Sequence, residues 1–467
     1  EYNLRNMDCC LEVAVEKILK QCFFFDCITR TEGYYQVPLH EREQIASKVN
    51  LDFDSLYTSS IQEQIKQYLS VPFEIIDPYL PQWKQTAYVE CQPFNIENIP
   101  FLLHDLAAIR SAEKADINCV SQSESQERVN QGDIDISDFS RQKVESRDEF
   151  FRGSIQVRGN TPTSGDNISD YGEYVQIPET ESFEQVWAGA GIPIGASKVM
   201  SEAFRNRLRR SPVDEDITIT VIVNEEQMAQ EGVIADEVYG SREQLSFSVT
   251  EHRQLTTKKL REVLKTEVDF LHYIGHIDRK GFKCVDGQLD VTELDMVGID
   301  AFLLNACASY EQAIGLIEAG AISGIATLKP VLNSGAERVG KAVARLLNLG
   351  FPLVAALHIA KSKSIMGDNY VIIGDGSVNL TQSKSGIPSS CEILEQDDTY
   401  TLTYSTYLTR KRNIGTITIP YVKNNDEYFL TSGRTGEFEV EIDDLLRFLS
   451  QDEMPVQKGS TLYWSDE

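Results

Sequence analysis

A chain of 467 residues exceeds one ordinary core and points to about two to four domains. Hydrophobic residues at 41% and charged residues at 25% are normal globular proportions, which exclude collagen-like, coiled-coil and wholly disordered classes. Asp and Glu number 72 against 44 Lys and Arg; the resulting net charge of -28 repels phosphate backbones and anionic lipid surfaces, so neither nucleic acid nor a membrane is an expected partner.

The first 120 residues read as a mainly helical region. Leu11, Val13, Val15, Ile18 and Leu19 fall near helical spacing, and a second amphipathic stretch, Ile61 to Leu69, follows a turn-like segment at 52–60. Pro72, Pro78 and Pro81 break the pattern before a predicted helix from Ile99 to Arg110, which carries His104 as an ordinary helix residue. Residues 121–181 turn to Ser, Asp, Gln, Asn, Gly and Glu and read as a long polar insertion or linker. In the connecting stretch 182–212, the run WAGAGIPIGASK (Trp187–Lys198) lacks the Gly-Lys-Ser/Thr of a phosphate loop and has no clear strand feeding it. It is expected to be a turn into a helix over 198–208, which leaves a nucleotide-binding switch without its central motif.

From residue 213 the pattern is regular. The β-branched run Ile217–Val223 predicts a buried strand, followed by a helical segment at 225–239, a strand at 245–250, a helix at 256–264 and a strand at Val268–Ile274. After a loop come a strand at 301–305, a helix at 310–319, a strand at 322–328, a helix at 335–347 and a strand at 370–373. The alternation predicts an α/β sandwich over a mostly parallel sheet. Beyond residue 381, short alternating runs such as YTLTYSTYLT and EFEVEI predict a small antiparallel β module.

No apolar run approaches the roughly eighteen residues of a membrane span, and no signal peptide is recognisable, so a cytoplasmic location is expected. The nine cysteines have no framework spacing and are expected to be reduced. Cys22 and Cys27 lack the second ligand pair of a zinc site, and no metal or cofactor is expected.

In a parallel α/β sheet, reactive groups collect beyond the carboxyl ends of strands. The strand Val268–Ile274 leads to His276, and the strand ending AFLLNAC leads to Cys307. Side by side, such a pair suits thiol chemistry: an imidazolium stabilises the thiolate, and the imidazole then protonates the departing amine. The positive end of a helix opening near Tyr310 adds to this, and the amides of Ile277 and Cys307 are candidate oxyanion donors. From spacing alone, a cysteine after Phe302, Leu303 and Leu304 is more often an inert core thiol. His272 and His276, four apart, read as core or metal residues, although on an extended strand they lie about 13 Å apart, too far to share a metal.

The segments DFLHYIGH (269–276) and LLNACAS (303–309) resemble the histidine and cysteine blocks of CHAT domains, the caspase-like, separase-related cysteine peptidases of prokaryotes. EAGAISGIATLKPV (318–331), GKAVARLLNLG (340–350) and NYVIIGDGS (369–377) resemble the parts that follow, so the likeness spans about 213–380. The resemblance implies a caspase-like peptidase domain with His276 as general base and acid, Cys307 as nucleophile, and the amides of Ile277 and Cys307 as the oxyanion site. It leaves Asp269 and His272 structural. Ile277 replaces the usual Gly after the histidine, and Tyr310 the usual Gly after the serine. The position two before the nucleophile lines the primary pocket in caspase-like relatives, which makes Asn305 a pocket candidate, with Asp278 as a second. The resulting expectation is a cysteine endopeptidase that cuts a specific protein partner through a thioester, under control of an activating protein, in a prokaryotic defence or cell-death programme. The alternative is a caspase-like scaffold that has lost catalysis.

Overall fold

The structure, a computed structural model, describes residues 46–72, 85–90, 92–102, 107–112, 174–178, 184–210, 216–224, 247–278, 280–329, 333–361, 369–396, 399–409, 417–422, 433–459 and 461–466, with isolated positions between them such as Phe25 and Tyr239. The expected helix at 11–20, His104, the Cys22–Cys27 pair and most of the segments 121–181 and 225–239 lie outside these residues.

The N-terminal part contains helices α1 (Phe53–Thr58) and α2 (Ile61–Ser70). The segment read as a turn is thus helical, because the Asp52 carboxylate accepts from the amides of Asp54 and Ser55 and caps α1. Two single-turn helices, Pro93–Ile96 and Ile99–Leu102, follow strand β1 (Gln85–Glu90). The helix expected to run on to Arg110 stops there. Ala107–Ala112 is strand β2, paired in parallel with β1.

Further along are β3 (Cys119–Val120), β4 (Tyr174–Gln176), β5 (Glu184–Ala188), β6 (Ile192–Ile194) and β7 (Ser197–Lys198), then α3 (Ser201–Arg209). The glycine-rich run is therefore fed by a strand and contains two more, rather than forming a simple turn. The regular part comprises β8 (Ile217–Val223), β9 (Phe247–Arg253), α4 (Thr257–Lys265) and β10 (Val268–Ile274). A small hairpin sheet, β11 (Ile277–Asp278), β12 (Gly281–Cys284) and β13 (Gly287–Leu289), fills what the sequence suggested was a loop. Then come β14 (Ile299–Asn305), α5 (Tyr310–Glu318), β15 (Ser323–Thr327), α6 (Asn333–Asn348), α7 (Leu353–Lys361) and β16 (Tyr370–Gly374).

Ten strands form one sheet in the order β2-β1-β5-β7-β16-β15-β14-β10-β8-β9. Every pairing is parallel except β15 with β16, so the architecture read from the sequence, an α/β sandwich over a mostly parallel sheet, is the one observed. The sheet also continues across residue 213, drawing four strands from the preceding part of the chain. Alternation along each strand divides its side chains between two cores. Phe270, Ile274, Leu303 and Cys307 share one face with α6 and α7, whereas Leu271, Tyr273, Phe302 and Leu304 share the other with α4 and α5. Close packing is tight enough at Gly324 that a Cβ would fall 1.9 Å from the Phe302 ring.

The C-terminal module is a five-stranded sheet ordered β21-β18-β17-β22-β23, built from β17 (Ser389–Gln396), β18 (Thr399–Thr406), β21 (Gly433–Val440), β22 (Pro455–Lys458) and β23 (Thr461–Trp464). It is antiparallel apart from the β17–β22 pairing, and a separate ribbon joins β19 (Ile417–Thr418) to β20 (Phe429–Leu430). Helix α8 (Ile442–Leu449), which the alternation did not reveal, buries Leu445 and Phe448 against this sheet.

Candidate active site

The two strands that lead to the chemistry are direct neighbours. β10 and β14 pair in parallel with Ile274 opposite Asn305, so His276 and Cys307 each stand two residues beyond the same level of adjacent strands. Parallel strands are about 4.8 Å apart, and both chains leave the sheet at this level, through a bend at Gly275 and a turn at Ala306–Ala308. Cys307 belongs to the core on the α6–α7 face and retains 5% of its exposure.

The backbone around His276 is fixed from two directions. Its carbonyl accepts from the Lys283 amide at 3.0 Å and from the Tyr273 hydroxyl at 3.1 Å. Tyr273 is fully buried on the opposite sheet face and meets Phe282 edge-on, with ring centroids 4.8 Å apart. Gly275 lies over the Tyr273 hydroxyl so closely that a Cβ there would sit 2.8 Å from the oxygen. Ile277, paired with Phe282 in the hairpin, is buried at 4% exposure.

The Cys307 turn is held just as firmly. Ala308 has φ +47°, in the left-handed region that costs a non-glycine residue about 1 kcal/mol. Thr327, the last residue of β15, donates its hydroxyl to the Ala306 carbonyl. The Ser309 hydroxyl accepts from the Thr327 amide at 2.9 Å and reaches the Leu304 carbonyl at 3.4 Å. Ser309 occupies the N-cap position of α5, yet its hydroxyl makes no cap bond there. Ser309 and Thr327 are both fully buried. Neither was singled out as a site residue from the sequence, where Ser309 figured only as part of the cysteine block; the available signal was a serine placed to cap a helix just after the cysteine.

The pocket candidates take different positions. Asn305 is fully buried, donating its amide to the Ala336 carbonyl in the first turns of α6 at 2.9 Å and accepting from the Tyr370 hydroxyl at 3.2 Å. Asp278 is exposed in the hairpin, where its carboxylate accepts from the Lys280 amide at 2.7 Å and the Gln288 side chain at 2.6 Å. His272 is fully buried, with Nδ1 3.3 Å from the Tyr239 hydroxyl, and Asp269 accepts from both the amide and hydroxyl of Thr218. Asp269 thus ties β10 to β8, and His272 meets a residue packed against the sheet face. Among the described residues no three His, Cys, Asp or Glu side chains converge as metal ligands would.

Two other thiols give a chemical contrast. Burial, reinforced by Asp286, pushes the Cys284 thiol up to about 11, and burial alone pushes Cys391 up to about 12. Such thiols are almost entirely protonated at neutral pH and are poor nucleophiles. No helix among the described residues is long and apolar enough to cross a membrane.

No family model and no curated protein matches the chain. Solved structures similar to it include the complex of Porphyromonas gingivalis RgpB pro- and mature domains, at 12% identity and a TM-score of 0.39, covering 68% of this chain and 86% of that one. The Arg-specific cysteine proteinase gingipain R is similar at 12% identity and a TM-score of 0.39, covering 69% of this chain and 84% of that one. The Saccharomyces cerevisiae separase in its securin complex is similar at 9% identity and a TM-score of 0.32, over 42% of this chain and 16% of that one.

Proposed function

We propose that the chain is a cysteine endopeptidase acting on a protein substrate through His276 and Cys307. The observation that supports this reading is the register of β10 against β14, in which Ile274 stands opposite Asn305, so that His276 and Cys307 each follow two residues beyond the same level at the carboxyl edge of a parallel sheet. In the proposed reaction His276 takes the Sγ proton while the sulfur attacks the scissile carbonyl carbon. The amides of Cys307 and Ile277 stabilise the oxyanion of the tetrahedral intermediate. Collapse breaks the C–N bond, His276 passes its proton to the amine, and a thioester remains. Water, deprotonated by His276, then attacks the thioester and releases the acid and the thiol. Control by an activating protein is part of the proposal, because Cys307 is nearly enclosed and a substrate carbonyl needs an approach to its sulfur.

The same enclosure is the one observation that favours the alternative, a caspase-like scaffold without catalysis. Site-resolved alkylation of the cysteines between about pH 5 and 9, on the native protein and on His276→Ala, separates the two. The peptidase reading requires Cys307 to react faster than Cys284 and Cys391 below its ordinary pKa of about 8.5, with that advantage lost in the variant. A Cys307 rate that is as slow as theirs and indifferent to His276 overturns it.

A further inference from the structure

We infer that Thr327 is a positioning residue that aims the Cys307 amide at the oxyanion, with Ser309 as its partner; this rests on the reading of Cys307 as the nucleophile. The Thr327 hydroxyl donates to the carbonyl of Ala306, and that carbonyl belongs to the same peptide unit as the Cys307 N–H. A trans peptide is planar, with its C=O and N–H pointing in opposite directions. Drawing the carbonyl toward β15 therefore turns the Cys307 N–H the other way, toward the β10 side where His276 stands.

The bond is built to resist rotation. Thr327 Oγ1 also lies 3.4 Å from the Ser309 amide, and the Ser309 hydroxyl closes the ring by accepting from the Thr327 amide at 2.9 Å. Two hydroxyls thus bracket the cysteine at positions 306 and 309 and tie both ends of the turn to the end of the neighbouring strand. With both side chains fully buried, water cannot substitute for either bond. The amide turns about ψ of Ala306 and φ of Cys307, and the left-handed Ala308 that follows is local strain held within the same turn by the ring. An oxyanion donor must be aimed before the reaction, since only a preorganised dipole stabilises the developing charge without rearranging.

The test separates two reactions of the same sulfur. Displacement on iodoacetamide forms a C–S bond and expels iodide without an oxyanion. Acetyl transfer from p-nitrophenyl acetate forms a thioester and expels p-nitrophenolate through a tetrahedral oxyanion. Both are read at Cys307 by mass spectrometry, with Cys307→Ala as the background. Thr327→Val, which keeps the shape and removes the hydroxyl, should slow acetylation on the order of tenfold or more while leaving alkylation and its pH profile within about twofold. Thr327→Ser should retain both rates. Ser309→Ala, should the valine variant not fold, is expected to show the same split with a smaller loss.

An unchanged acetylation rate in Thr327→Val, or an equal loss in both reactions, overturns the inference. Alkylation of Cys307 that is indifferent to His276→Ala overturns instead the peptidase reading on which it rests.

Discussion

Replacing Gly275 with alanine tests whether the hairpin beyond β10 sets the position of His276. The added Cβ would lie 2.8 Å from the Tyr273 hydroxyl oxygen and 3.0 and 3.1 Å from Cζ and Cε1 of the ring, closer than atoms pack. The ring cannot retreat freely, because Tyr273 and Phe282 are both fully buried and in edge contact. Overpacking of this kind costs about 1–3 kcal/mol, and swinging the hydroxyl off the His276 carbonyl forfeits about 1 kcal/mol more. The expected total is about 2–4 kcal/mol, concentrated in β11–β13 rather than spread through the sheet. Hydrogen exchange of the 277–289 amides gives the local loss, and the alkylation rate of Cys307 gives the consequence for the site. Tyr273→Phe alone should cost about 1 kcal/mol, since the Lys283 amide still serves the carbonyl. In that background the alanine meets only ring carbons, so the double-mutant cycle should show coupling of about 1 kcal/mol or more. A loss below about 0.5 kcal/mol for Gly275→Ala, or strict additivity, would refute the reasoning.

Two further perturbations probe the frame around the site. Burial pushes Lys198 down to about 8 against the opposing pull of Glu90, so between about pH 8 and 10.5 the unfolded chain binds the proton that the folded chain has released. Stability should therefore rise with pH across that window in the native protein relative to Lys198→Met, by up to about 3 kcal/mol; parallel denaturation curves would contradict it. Arg345 on α6 lies 4.2 Å over the Trp464 ring and pairs with Glu453 at 2.8 Å and with Asp466, fastening the C-terminal module to the sheet domain. Arg345→Met should weaken that attachment by about 1–2 kcal/mol and speed limited proteolysis between residues 377 and 388, whereas unchanged digestion would show that the latch contributes nothing.

The strands that matter most were legible because their apolar runs are continuous and their ends carry unlike chemistry: VDFLHYI leads to His276 and IDAFLLN to Cys307. What could not be read was the register, since pairing Ile274 with Asn305 depends on which strands are neighbours. The missed elements have local reasons. Helix α7 buries Leu353, Val354, Ala355, Ala356, Leu357 and Ile359, so it shows no polar face from which a period could be taken. Strand β2 reads Ala-Ala-Ile-Arg-Ser-Ala, a sequence with helical propensity that parallel pairing with β1 overrides. The hairpin strands β11–β13 are two to four residues long, too short for alternation to register. Thr327 and Ser309 are separated by 18 positions, and their exchange of hydroxyl bonds exists only once β15 lies beside β14.

The antiparallel pairing of β15 with β16 divides the sheet into two parallel halves that run in opposite directions. Strands β8, β9, β10, β14 and β15 point their carboxyl ends to one edge; β1, β2, β5, β7 and β16 point theirs to the other. The two carboxyl edges are furnished differently. The first carries His276 and Cys307. At the second, the glycine-rich loop after β5 is tied inward by Lys198, whose ammonium donates to the Gly189 and Gly191 carbonyls, and by Glu90, which accepts from the Ala190 amide. The Gly189 and Gly191 carbonyls and the Ala190 amide are thus engaged by side chains of the protein itself, unlike the ligand-facing amides of a phosphate loop. The contrast explains why a boundary suggested itself near residue 213: from there β9, β14 and β15 are each followed by a helix, while the earlier half reaches the same sheet through short strands whose pairing only the assembled fold reveals.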